Sequence, residues 1–344
     1  MRIRRTLPIA FAVVIAAAAI ILAIELRKHA PPEPARLLPG ADAFIYANVG
    51  WIRRVTNTPL PPVSHDPEYE RFLRETGFDF ERDLDSAAFA IHYPASWPGG
   101  GTGGAAPEPR FSEVFIAKFN GQRLAAYLKQ QAQSAETYHS VDIYTIPIQG
   151  RSFRVAILSV DSVAASNLDD PLVMRGMVDR SRRLASPFGG PSMLRHFYKQ
   201  VQFASPVWLL ARVEPSAPDF GGWSAVFPAP ATLVVSASYN PLHLPLRSAA
   251  LHVRADAFAA GEQEARAIAD KVHVFLAMFS SAETSVGSPG SDADLKALFD
   301  SLQVRQEDSR AVLQATVPTT VFRKLLPSSD PIPAAGASSS ARPH

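Results

Sequence analysis

Alternation of apolar and polar residues dominates the pattern of this chain and predicts a protein rich in β-strands. The alternating runs contain many β-branched and aromatic residues and are separated by turn residues, as is typical of strands half-buried in a sheet. The predicted strands are 43–49, 87–93, 112–119, 141–148, 153–160, 206–213, 232–239, 248–254, 301–307 and 310–317. The four-residue turn at 149–152 predicts that the fourth and fifth of these strands form a hairpin.

Helical periodicity appears in three further segments. Asp66 and Pro67 form a helix-start signal, and Gly77 is a typical stop signal for that helix. Asn120 is the expected N-cap of a second helix, and Asp256 is expected to open a third, longer one. The second helix has an apolar face made by Leu124, Tyr127, Leu128 and Ala132.

The order of these elements predicts an α+β protein, with antiparallel sheets and helices packed on one face. Residues 41–204 and 205–326 each give the order strand, strand, strand, helix, hairpin, helix. We therefore predict two similar α+β subdomains with those bounds. The alternative is that a mixed chain shows this order without a duplication.

The N-terminal segment predicts a membrane anchor. Residues 7–24 contain no charged side chain, and eighteen helical residues span about 27 Å, close to the thickness of a bilayer core. Arg2, Arg4 and Arg5 precede the segment, and Arg27 and Lys28 follow it. With the amino terminus counted, the positive side is the N-side, so residues 31–344 are expected to be extracytoplasmic, in the periplasm of a bacterium.

The rival interpretation of this segment is a cleaved signal peptide. Its cleavage site would be poor, because Ala30 is preceded by Lys28 at the −3 position and followed by Pro31. We assign residues 1–29 to a cytoplasmic tip and single-pass anchor, 30–40 to a Pro-rich tether, and 327–344 to a disordered tail. The Gly- and Pro-rich segment 94–110 is expected to be a surface loop.

Charge and composition exclude several classes of function. The chain of 344 residues has 34 basic and 32 acidic side chains, and its positive excess lies within residues 1–30. The rest of the chain has no basic cluster of the kind that nucleic-acid binding needs, so no nucleic-acid partner is expected. The absence of Cys excludes disulfides, thiol catalysis and cysteine-based metal sites.

No catalytic motif is found along the chain, and we predict no catalytic residue, cofactor or metal site. His65, Asp66 and Glu68 come closest to an acid–base or metal-binding group. Asp66 and Glu68 are explained more simply by a helix start, where a cap and a negative charge are favourable.

An aromatic loop is the one positive indication of binding. Phe220, Trp223 and Phe227 lie in a Pro- and Gly-rich stretch, and aromatic loop residues are typical of binding hot spots. We name these three as candidate partner-binding residues. The alternative is that the rings pin the loop onto its own core.

Three segments, Leu37–Val55, Thr76–Ile91 and Lys118–Gln131, resemble an uncharacterised family of bacterial envelope proteins. The resemblance implies one N-terminal membrane segment and a duplicated extracytoplasmic α+β domain of unknown function. It carries no catalytic residue.

The function predicted from the sequence is therefore non-catalytic. We expect a membrane-anchored extracytoplasmic domain that binds an envelope protein or polymer. Two alternatives stay open: an envelope hydrolase whose site forms no sequence motif, and a small-ligand carrier with a cleft between the two subdomains.

Overall fold

The computed structural model describes residues 30–56, 67–93, 110–148, 150–185, 190–215, 226–239, 250–285, 293–318 and residue 321. Its described strands form one antiparallel sheet. They are β1 (Ala43–Ala47), β2 (Leu84–His92), β3 (Arg110–Ala117), β4 (Ser134–Tyr138), β5 (Val141–Ile148), β6 (Arg151–Ile157), β7 (Ser162–Ser166), β8 (Val207–Val213), β9 (Ala231–Tyr239), β10 (Ala250–Phe258), β11 (Gln303–Glu307) and β12 (Arg310–Pro318).

Nine α-helices are found in the described part of the chain, with a 3₁₀ turn at Tyr198–Gln200. They are α1 (Glu33–Leu37), α2 (Val49–Thr56), α3 (Pro67–Thr76), α4 (Phe80–Asp83), α5 (Gly121–Gln131), α6 (Pro171–Ser181), α7 (Ser192–Phe197), α8 (Glu262–Ser285) and α9 (Ala293–Asp300). The α+β class predicted from the sequence is confirmed.

The strand order is similar on the two sides of the β1–β8 pair, with seven strands on the β1 side and five on the β8 side. Across the sheet it is β11-β12-β10-β9-β8-β1-β2-β3-β7-β6-β5-β4. The central strands β1 and β8 pair antiparallel, with Ala43 opposite Ala211 and Ala47 opposite Val207. Counted outward from this seam, β1-β2-β3-β7-β6 and β8-β9-β10-β12-β11 follow the same order of connections.

Helices cover both faces of the sheet, which corrects the prediction that they pack on one face. On one face, Met174 of α6 shares a buried cluster with Ile143 of β5. On the other, Leu124 of α5 shares a cluster with Tyr144 of β5. Neighbouring strand residues point to opposite faces, so β5 is buried from both sides. An antiparallel sheet with two apolar faces needs a layer of helices on each.

Residues 30–40 belong to the folded domain, which corrects their assignment to an extended tether. They contain α1, and Ala35 and Leu38 have no exposed surface. Both lie in the same buried cluster as Met177 of α6, and Arg180 of α6 donates a hydrogen bond to the carbonyl oxygen of Leu37 at 2.8 Å. The prolines of this segment therefore start and end a short helix instead of forming an extended spacer.

Most predicted elements are observed, and the differences occur where apolar periodicity is weak. The strand predicted at 141–148 is observed with those bounds, and Asn120 caps α5 by accepting from the backbone N–H groups of Gln122 and Arg123. The short strands β4 and β7 were not predicted. Asp256 does not open a helix: it lies within β10, and α8 begins at Glu262.

No helix in the described ranges is long and apolar enough to cross a bilayer. The predicted anchor at 7–24, the loop segment 94–109 and the tail at 327–344 lie outside the described residues.

Candidate functional site

An apolar cavity of about 690 Å³ lies between the sheet and the helices α3, α4 and α5. Its floor comes from β3, β5, β6 and β7, and its roof from the three helices. Only three of its lining residues carry a charged side chain: Glu68, Arg71 and Glu113. Its aromatic lining residues are Phe72, Phe78, Phe80, Phe115, Phe119, Tyr127 and Phe153.

The register of the sheet determines the floor of the cavity. Glu113 of β3 pairs with Ala165 of β7, Ala165 pairs with Val155 of β6, and Val155 pairs with Tyr144 of β5. Directly opposed residues of neighbouring strands point to the same face, so these four side chains form one row. The small side chain of Ala165 lies between Glu113 and Val155, and this leaves space above the floor.

The same row continues to the far half of the sheet. Glu113 pairs with Phe89 of β2, Phe89 with Ile45 of β1, Ile45 with Leu209 of β8, and Leu209 with Val235 of β9. In this row of eight residues, which runs from Val235 to Tyr144, Glu113 is the only residue with a carboxyl or a basic side chain. A carboxyl group at this position is therefore an exception to the apolar character of the face.

The roof is held by the turn that ends α3. Gly77 has a φ of +73°, a left-handed conformation that glycine adopts without steric cost. The Thr76 hydroxyl donates to the carbonyl oxygen of Phe72 at 2.7 Å and accepts from the N–H of Phe78 at 3.1 Å. This turn brings the rings of Phe78 and Phe80 to 4.7 Å from each other, edge to face.

Arg123 of α5 joins this helix to α3 in the roof. Its guanidinium group donates to the carbonyl oxygens of Glu75 at 2.9 Å and Arg74 at 2.6 Å, at the C-terminal end of α3. These carbonyls have no partner within their helix, and a cation is favourable there. The ring of Phe72 then lies 5.3 Å from that of Tyr127 of α5.

Glu113 is the ionisable side chain on the floor of the cavity. Its side chain is half-buried, and burial raises the pKa of its carboxyl above the ordinary value. No hydrogen bond or ion pair to this carboxyl is found in the part of the chain that the structure describes. Glu68 and Arg71, in contrast, are exposed and lie where the cavity meets solvent.

Sequence reasoning missed this cavity, although one signal was present. The strand alternation of β3 places Glu113 on the same face as Phe111 and Phe115, an acid in an apolar stripe. That pattern identifies an unusual carboxyl group. The space beside it depends on pairing with Ala165, which lies 52 residues further along the chain, and on a helix layer that no local pattern predicts.

Of the three candidate partner-binding residues, only Phe227 is described. It is 3 % exposed and belongs to a buried cluster with Leu233 of β9 and Ile268 of α8, so its ring is part of the core. Phe220 and Trp223 lie outside the described residues. Partner binding at those two positions stays a prediction.

His65 and Asp66 also lie outside the described residues, while Glu68 lines the mouth of the cavity. In the described ranges there is no group of three or more His, Asp or Glu side chains placed to hold a metal ion.

No protein family and no curated protein matches the chain. Among solved structures, it is similar to crystal forms I and III of a protein designated TP0453. For form I the identity is 12 %, the match covers 87 % of this chain and 100 % of the other, and the TM-score is 0.46. For form III the identity is 10 %, the coverage is 86 % and 98 %, and the TM-score is 0.45. We base no functional argument on a likeness of this degree.

Proposed function

We propose that this protein is a small-ligand carrier that holds an apolar molecule in the cavity between α3, α5 and the sheet. The observation that carries this proposal is the cavity itself, about 690 Å³ with a largely aromatic and aliphatic lining. That volume falls within the range of about 300–1,000 Å³ typical of ligand pockets. The carrier alternative placed a cleft between the two halves, whereas this cavity lies within the first half.

The physical argument is one of packing. Interiors are close-packed, whereas this cavity leaves apolar side chains facing a space that opens to solvent. An apolar ligand that enters it removes this apolar surface from water and gains dispersion contacts with the rings.

The direct test fills the cavity from its floor. Ala165→Phe puts a ring between Glu113 and Val155, and we expect it to reduce the affinity for a neutral apolar fluorophore such as N-phenyl-1-naphthylamine by about tenfold or more. Because Ala165 is only 4 % exposed, the larger ring should also cost about 1–3 kcal/mol of stability, so the comparison is made with the folded variant.

The matched control is Ala126→Phe, which places the same ring on the exposed side of α5. It should leave the affinity for the fluorophore unchanged. Equal binding by the parent protein and a folded Ala165→Phe variant would contradict the carrier function.

We also propose that residues 7–24 anchor this carrier in a membrane and that the folded domain is extracytoplasmic. The support is the uncharged segment and its flanking arginines. Residues 25–30, fully extended, reach about 21 Å, so the folded domain starting at Pro31 would lie close to the bilayer. A reporter that is active only in the cytoplasm, fused after Pro327, should be silent. Strong activity there would reverse the topology.

We propose, finally, that the two halves are similar subdomains derived from one duplicated unit. The support is the common order of connections on the two sides of the β1–β8 seam. An ancestral duplication predicts that homologous chains will show higher similarity between β1–β3 and β8–β10 than between other strand triplets.

A further inference from the structure

We propose that the cavity selects a cationic amphiphile, whose ammonium group pairs with the carboxylate of Glu113 while the aromatic walls hold its apolar body. This inference rests on the proposed carrier function and names the class of ligand. It follows from the charges inside the cavity, their neighbours and the chemistry of the walls.

The first step is the isolation of the carboxyl group. Across the strands, Glu113 has Phe89 on one side and Ala165 on the other, neither of which can ionise or donate from its side chain. Phe115 lies on the same face of β3, with its ring 5.8 Å from that of Phe89. A half-buried carboxylate without a partner among the described residues is open to a cation from outside, and an ammonium group of a ligand would form a charge-assisted hydrogen bond with it.

Asp256 is a buried acid with a structural role, and its partners can be compared with the surroundings of Glu113. It is 1 % exposed and is held by the guanidinium group of Arg254 at 2.7 and 2.8 Å. A guanidinium nitrogen of Arg310 also lies 3.7 Å from a carboxylate oxygen of Asp256. Two arginines therefore neutralise the structural acid, while none approaches Glu113 among the described residues. The contrast indicates that the carboxyl of Glu113 is kept for an external cation.

The aromatic walls of the cavity also favour a positively charged group on the ligand. Aromatic faces attract cations, and Phe115 and Phe80, with ring centres 6.2 Å apart, lie beside Glu113 on the floor and roof. The single basic residue of the lining, Arg71, is exposed at the mouth. An anionic headgroup would therefore meet repulsion at the inner end of the cavity, where an ammonium group meets attraction strengthened by the low local dielectric.

The shape agrees with an elongated body. Glu113 is on β3, and the lining extends over β7 and β6 to Ile148 on β5, which is 46 % exposed. Three strand spacings correspond to about 14 Å. A single apolar chain that starts at Glu113 can thus cross the floor toward the exposed end of β5.

Binding should depend on pH in a defined direction. Burial raises the pKa of Glu113. The other titratable groups of the lining are Glu68 and Arg71 on α3 and Tyr127 on α5; the neighbours of Glu113 on β2 and β7 do not titrate. An ammonium ligand binds the ionised carboxylate, so its affinity should increase as pH rises through the pKa of Glu113. A neutral ligand should show no such change.

The experiment compares three ligands of one chain length on the full chain, by displacement of N-phenyl-1-naphthylamine. The ligands are dodecylammonium and dodecanoate, each below its critical micelle concentration, and dodecanol below its solubility limit. At about pH 8 we expect dodecylammonium to bind roughly tenfold or more tightly than dodecanol, and dodecanoate to bind most weakly. The preference for the amine should shrink at about pH 5.

Glu113→Gln tests the assignment. It should bring the affinity for dodecylammonium down to that for dodecanol, while dodecanol binding stays within about twofold of the parent protein. Glu262→Gln, which removes an exposed acid on α8 in the other half of the protein, should keep the preference for the amine. An amine preference that survives in Glu113→Gln, or equal binding of amine and alcohol by the parent protein, would overturn the inference. If none of the three ligands displaces the fluorophore, the carrier function itself fails.

Discussion

At the residue scale, the carboxyl group of Glu113 lowers the stability of the ligand-free protein at neutral pH. Burial raises its pKa in the folded state, so the neutral form contributes stability that is fully present below the ordinary pKa of about 4.3. That contribution is lost as pH rises through the folded-state pKa, because the charge then forms in apolar surroundings.

Glu113→Gln should therefore be more stable than the parent protein above this pH window and should show a flatter pH dependence within it. Urea titrations at a series of pH values measure both effects. The slope of the unfolding free energy against urea should be unchanged, because the same surface is exposed on unfolding. A variant less stable than the parent at neutral pH would show that the carboxylate has a stabilising partner.

For Asp256 we expect the opposite effect on stability, because arginine side chains already compensate its negative charge. Arg254→Met removes the bidentate partner and leaves Arg310 at 3.7 Å, so we expect a loss of about 3 kcal/mol in unfolding free energy. Arg305→Met on β11, whose guanidinium group reaches only the exposed Gln303, should change it by less than about 0.5 kcal/mol. Equal effects of the two substitutions would contradict a structural role for the buried pair.

At the scale of elements, the roof of the cavity depends on the contact between Gly77 and Arg123. A Cβ atom at position 77 would lie 2.7 Å from Nη1 of Arg123, and the φ of +73° disfavours any side chain there. Gly77→Ala should thus lower the unfolding free energy through two separable contributions, one from the strained backbone and one from the clash with Arg123. The backbone part is about 1–2 kcal/mol.

A double-mutant cycle separates them. In the Arg123→Ala background the clash is absent, so Gly77→Ala should cost less there than in the parent protein, with a coupling of about 0.5 kcal/mol or more. Arg123→Ala alone should also speed amide exchange in the last turn of α3, whose carbonyl oxygens lose their donor. Lys129→Ala, on the exposed face of α5, is the control. Additive effects of the two substitutions would show that the contact does not matter.

The elements also show which parts of this structure local sequence can predict. The start of α5 at Asn120 and the strand β5 follow from a cap residue and from alternation, both of which are local. An acid before a periodic segment is a common cap signal, and on this signal the sequence predicts a helix start at Asp256. Its true partner is Arg254, two residues earlier on the same face of β10, and nothing in the local pattern distinguishes a strand ion pair from a cap.

The cavity was beyond prediction for a related reason. Each of its rings lies in a segment with a recognisable pattern, but the empty volume depends on which strands are neighbours. Glu113 and Ala165 meet because β7 inserts beside β3, and β7 is a strand of five residues with small side chains and no clear alternation. The extended tether predicted at 30–40 is wrong for the same reason, since its prolines are local signals and the contact with α6 is not.

At the scale of the whole molecule, the β1–β8 seam joins the two halves into one sheet. Trp208 of β8 is 1 % exposed and stacks on Tyr46 of β1 with ring centres 5.5 Å apart. Tyr198 of the 3₁₀ turn meets the same indole edge to face at 5.4 Å. Since these rings lie in the cluster that also contains Met174 and Leu38, the largest buried cluster of the described residues crosses the seam.

Cooperative unfolding of both halves is therefore expected, and Trp208→Ala tests it. Truncation of a buried aromatic side chain should cost about 3–5 kcal/mol, and the loss should reach strands on both sides of the seam. Native-state hydrogen exchange should show the protection of slow amides in β5 and in β10 falling by similar amounts, as expected of one cooperative unit. Leu184→Ala, which shortens a side chain that is 61 % exposed, should leave the protection of slow amides in β5 and β10 unchanged. Loss of protection in β8–β10 with β5 unaffected would mean that the two halves unfold separately, and that the cavity half can keep its ligand while the other half opens.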